Sequence, residues 1–138
     1  MGMSNATKND ALQCFLQGTD PSYRAGATQY VAYLQSASPD PADPLATECN
    51  YTGYIRSALT KASAWTDGGT SFTNAGVVNG GKRTDAGATQ TINSFAIVDT
   101  VSGAVAMAII GSMASPIPVG QNIKPVCEAG TMTITVTP

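Results

Sequence analysis

From Gly18 onward, the sequence is cut into short runs rich in Thr, Val, Ile and aromatic residues, separated by Gly, Pro, Asn and Asp. That punctuation is the mark of strands joined by turns, because β-branched and aromatic residues suit a pleated surface while Gly, Pro, Asn and Asp set the tight bends between strands. The clearest alternation closes the chain. Met132, Ile134 and Val136 point one way and Thr131, Thr133, Thr135 and Thr137 the other, giving a strand with one wet face.

Only one segment reads as a helix, about residues 5–17. Leu12, Phe15 and Leu16 share a face, Lys8, Asn9 and Gln13 lie elsewhere, and Gly18 supplies the stop. Thr7 with Asp10, or Ser4 one turn earlier, can cap its start. Strands are expected at Thr28–Leu34, with both sides covered, at Tyr54–Ala58, around Trp65, and at Ser71–Thr73 after an Asp67-Gly68-Gly69 turn. Thr91–Val98 and Ala104–Ile110 form a hairpin around Asp99–Gly103. The Pro39, Pro41 and Pro44 segment is a stiff exposed loop, and Asn79–Gly87 is too polar and turn-prone to pack. A chain of 138 residues that is 43% hydrophobic and 12% charged supports one core. The expected fold is mainly β, an antiparallel β-sandwich or jelly-roll-like partly closed barrel with one N-terminal helix, as a single domain over residues 1–138.

Chemistry is scarce. There is no histidine, which removes the commonest general base and zinc ligand. Cys14, Cys49 and Cys127 are odd in number and widely spaced, so they read as buried small residues in a reducing cytoplasm rather than a disulfide framework. Gly76–Lys82 has the spacing of a phosphate-cradling loop, but Arg83 stands where Ser or Thr would reach a metal and no amphipathic helix follows. The carboxylates Asp20, Asp40, Asp43, Glu48, Asp67, Asp85, Asp99 and Glu128 show no paired spacing for hydrolysis, and Asp40 with Asp43 offers too few oxygens for calcium. Tyr23, Tyr30, Tyr33, Tyr51 and Tyr54 read as packing residues ahead of a glycan or base-stacking platform. A net charge of −2 with dispersed Lys and Arg argues against nucleic acid. The apolar stretch Gly103–Met113 is too short to cross a bilayer, and no signal peptide or myristoylation pattern is visible, so Asn5-Ala6-Thr7 and Asn50-Tyr51-Thr52 read as chance glycosylation matches. No catalytic, cofactor or metal residue is expected.

A set of phrases, in order, resembles a family of small tailed-bacteriophage virion structural proteins, tail-fibre-like or capsid-decoration-like. They are Ser4-Asn5-Ala6, Asn9-Asp10-Ala11-Leu12, Phe15-Leu16, Thr28–Leu34, Asp40-Pro41, Tyr51–Arg56, Asn93–Asp99, Ser102-Gly103, Pro118–Gln121 and Glu128-Ala129-Gly130. The resemblance implies a virion component assembled in the bacterial cytoplasm, with a major capsid protein or tail proteins as partners. With no repeats and no heptads, a capsid decoration or cement protein, trimeric on the head lattice, is the first expectation. A tail or fibre-associated protein is the alternative, and a glycan-binding module the further one. The candidate contact residues are Leu12, Phe15 and Leu16 on the helix, Pro39, Pro41 and Pro44 in the stiff loop, and Lys82 and Arg83 in the polar loop.

Overall fold

A computed structural model describes residues 3–18, 26–105 and 108–135, with the side chains of Ala6 and Asp10 left out. The expectations placed on Asp20, Tyr23, Val136 and Thr137, and on the Asp10 side chain, fall outside the described part. The elements in chain order are α1 (Asn5–Gln17), β1 (Thr28–Leu34), β2 (Ser57–Thr60), β3 (Trp65–Asp67), β4 (Ser71–Asn74), β5 (Val78–Asn79), β6 (Gln90–Val98), β7 (Ala108–Val119), β8 (Val126–Cys127) and β9 (Met132–Thr135). The protein is mainly β with one N-terminal helix, and it takes the partly closed barrel form of that class. No helix among the described residues is long and apolar enough to cross a membrane.

Seven strands form one antiparallel sheet in the order β2-β1-β6-β7-β9-β4-β3, and β5 pairs with β8 in a separate ribbon. The sheet curls. Trp65 on edge strand β3 stacks on Phe95 of β6 with ring centroids 6.0 Å apart, although β7, β9 and β4 separate their strands. In a flat sheet four strand steps would span ~19 Å. Gly111, the register partner of Phe95 on β7, makes room for the ring, since a Cβ there would overlap it.

Alternation along β1 and β6 sorts the core into two faces. Val31, Tyr33, Phe95 and Ile97 fill the concave side with Met132, where Val78 and Cys127 bring the β5–β8 ribbon across. Ala32, Leu34, Ala96 and Val98 lie on the other side with Ala108, beneath Leu45 of the proline loop. Both faces of β1 are therefore covered, as its nearly unbroken apolar run predicts.

The β6–β7 hairpin is present, and Gly103 adopts the left-handed conformation its connection calls for. β7 starts later and runs further than the sequence indicates, through Pro116 and Pro118. This stretch pairs with β6 on one side only, because β9 contacts β7 at Ser112 and Met113, and a strand can hold proline where no neighbour needs its N–H. β2 likewise begins at Ser57 and not at Tyr54, because Tyr54, Ile55 and Arg56 are used by a loop.

Candidate functional site

Helix α1 is held at one end. Ser4 is the N-cap, accepting from the Thr7 amide at 3.2 Å, and the Gly18 amide donates to the Cys14 carbonyl at the other terminus. The Ser4 amide donates to Ala108, the Thr7 hydroxyl and Ala108 exchange two hydrogen bonds, and the Asn5 amide donates to the Pro41 carbonyl. These bonds fix the first turn against β7 and the proline loop. Beyond it the apolar face is unburied, with Leu12 56%, Phe15 87% and Leu16 72% exposed. Of the other predicted contact residues, Pro41 is exposed beside the helix base, Pro39 and Pro44 are half-buried, and Lys82 is exposed in another part of the chain.

Arg83 is corrected by the structure: its side chain is buried and offers a partner nothing. The guanidinium donates to both the Ala88 and Val119 carbonyls, binds Asp85 through Nε and Nη2, and lies over the Tyr51 ring. The Arg83 hydrogen bonds hold the Asp85 carboxyl well below its ordinary range. The Asn79–Gly87 segment is accordingly packed, contrary to its polar composition. Gly80 and Gly81 are buried, and their amide and carbonyl groups meet Pro125 and the Tyr51 hydroxyl. A Cβ at Gly81 would overlap the Gly53 carbonyl, so the glycine cluster serves close backbone approach.

At the end of the sheet near the helix base, a groove of about 350 Å³ opens between the 48–56 loop and the β6–β7 connection. Exposed Ile55 and Val101 contribute to its walls, and buried Cys49 lies beneath. Arg56 grips Glu48 through Nε and Nη2 at 2.7 and 2.8 Å, and uses its remaining N–H groups on the Thr100 carbonyl and hydroxyl and the Gly103 carbonyl. Tyr54 donates to Glu48 and accepts from the Tyr33 amide. All five guanidinium donors are thus engaged, two on Glu48 and three on the hairpin connection. Sequence reading passed over this pair because its members, Glu48 and Arg56, meet Thr100 and Gly103 only through the fold.

Burial keeps several cysteine and tyrosine side chains in their neutral form. Burial pushes the Cys49 thiol to about 12, with the Glu48 charge adding to it, and the Cys127 thiol to about 11. Burial raises Tyr51 to about 12 and also raises Tyr33 and Tyr54. Among the described residues no three Cys, Asp or Glu side chains gather to hold a metal ion. Asp40 accepts from the Ala42 amide, a turn role. Tyr33 is buried, Tyr30 and Trp65 are half-buried, and Trp65 is stacked on Phe95, so they form no open ledge for a sugar.

The family model described as podophage GP4 fiber I protein gp80 matches residues 2–135, a span that includes α1 and all nine strands. The chain belongs to this fibre family. No curated protein matches the sequence. Membership in the gp80 fibre family makes the protein a phage virion structural protein, the class the ordered phrases resemble.

Proposed function

We propose that the protein is a non-enzymatic structural component of a podophage tail, part of a fibre or of its attachment, acting through protein–protein contacts. The observation that carries this reading is the fibre-family match across residues 2–135. The tethered α1 with its open apolar face supports it, since contiguous exposed apolar side chains beside polar surface mark protein contacts. Tail proteins are then the partners.

The capsid decoration reading, with trimers stabilising the head, has less support because the family description names a fibre. Quantitative mass spectrometry of purified virions, normalised to the major capsid protein, separates the two. A few copies per particle are expected for a tail fibre component, and a ratio near one to one would replace that reading with the decoration protein. Immunogold labelling of a tagged copy gives the position independently.

A further inference from the structure

The chain presents two complementary apolar features that its own fold leaves apart. One is the α1 face of Leu12, Phe15 and Leu16. The other is the groove flanked by Ile55 and Val101, which are 55% and 60% exposed. We propose that α1 of one copy seats in this groove of a second copy, and reciprocally, making a two-fold pair.

Four observations favour a second copy as the occupant. First, a helix of 13 residues is marginal in water unless a face is packed. Among the described residues the hydrogen bonds that tie α1 to the sheet and the proline loop lie at its first turn, while Leu12, Gln13, Phe15, Leu16 and Gln17 are all exposed. Second, the two features match in charge. From Ala11 to Gln17 the helix carries no charged side chain, and the groove's charges are a closed Glu48–Arg56 pair whose guanidinium has no donor left. A charged peptide would find no counter-ion there, whereas an apolar helix face leaves no polar group unpaired.

Third, the placement allows reciprocity. α1 is fastened to Ala108 at the start of β7, and Val101–Gly103 belong to the connection leading into β7, so knob and groove share one end of the sheet. Two copies facing end to end about a two-fold axis can exchange helices, residue i meeting j as j meets i. Fourth, the area suffices only if the contact is made twice. At roughly 200 Å² for a large apolar side chain, the exposed parts of Leu12, Phe15 and Leu16 offer about 400 Å² and those of Ile55 and Val101 about 200 Å². One contact is then about 600 Å², below what a specific interface buries, whereas the reciprocal pair reaches about 1,200 Å², the lower bound of the standard size.

The test is a cross of two variants of the full chain. Phe15→Asp disables the knob and Val101→Asp the groove; both positions are exposed, so each variant should keep the sheet signal in circular dichroism and unfold cooperatively. In sedimentation equilibrium up to about 100 µM, wild type is expected to show twice the 14.1 kDa chain mass and each variant alone a single chain. An equimolar mixture of the two keeps one intact contact of about 600 Å², too small for a stable pair, and should stay monomeric over the same range. A wild-type monomer, an assembly of three or more copies, a mixture that dimerises as tightly as wild type, or a Val101→Asp chain that still dimerises would each overturn the proposal. The last would point to helix-on-helix packing. The proposal stands apart from the position in the particle, since virion copy number reads the one and solution mass the other.

Discussion

The concave core and the N-terminal helix are built from the same kinds of side chain and meet opposite fates. On β6, Phe95 is fully buried between Trp65 and Gly111, while on α1, Phe15 is 87% exposed. The core phenylalanine lies on a strand paired on both sides, in a sheet that curls until its edge returns to cover it. The helical one sits beyond a first turn fastened by Ser4, Asn5 and Thr7, with no further element of the described residues laid against its apolar stripe. Burial is therefore decided by topology after hydrophobicity has nominated the residues, and an apolar face that topology leaves open is surface available to another chain.

The contrast is sharpest in alkali. The Cys49, Cys127 and Tyr51 groups have folded values near 12, 11 and 12, above the ordinary values of about 8.5 for a thiol and about 10 for tyrosine. Raised acid pKa values favour the neutral folded form, so their stabilisation is intact below pH ~8.5 and is lost as pH rises through about 11–12. Circular dichroism across that window should show complete loss of the sheet; a sheet that persists above pH ~12 would show that these groups are not held in the core.

Next in size, Phe95→Ala should destabilise the fold by about 3–5 kcal/mol in urea titration, because Trp65 loses the ring that anchors β3 over the sheet. A loss under ~1 kcal/mol would mean that the curl is secured elsewhere. Arg83→Met should cost roughly 2–3 kcal/mol, since the buried Val119 carbonyl and the Ala88 carbonyl lose their donor, and it should speed hydrogen exchange over residues 79–89. Unaltered exchange there would put the ordering of the segment on its glycines alone. The smallest effect belongs to the helix. Phe15→Ala, measured on dilute monomer, should shift stability by no more than ~0.5 kcal/mol, and a cost above ~2 kcal/mol would place Phe15 in the core of its own chain.

Local signals carried much of this architecture. The Asp67-Gly68-Gly69 turn, the left-handed Gly103, the Gly18 stop and the apolar run of β1 all act within a few residues, and each lies where its pattern puts it. Arg83 escaped because its burial depends on partners that the fold brings in, the Val119 carbonyl and the Tyr51 ring. Its neighbours Lys82, Thr84 and Asp85 made the segment look solvated, though a single buried guanidinium organises it. Pro116 and Pro118 are a second case. They look like terminators, but a strand with one bare edge tolerates them. The Leu12, Phe15 and Leu16 face was legible as a stripe; that the stripe stays outside was not, since periodicity gives a face without saying what lies opposite.

Those two prolines also govern how the molecule behaves when crowded. Along β7, residues 115–119 could otherwise offer a bare ladder to a neighbouring sheet, but alternate positions lack the N–H that such zippering requires. At the high local concentration of an assembling particle, growth by backbone pairing into cross-β deposits is blocked at this edge. Along this stretch neighbours can then recognise one another through side chains, which carry sequence information that a backbone ladder lacks.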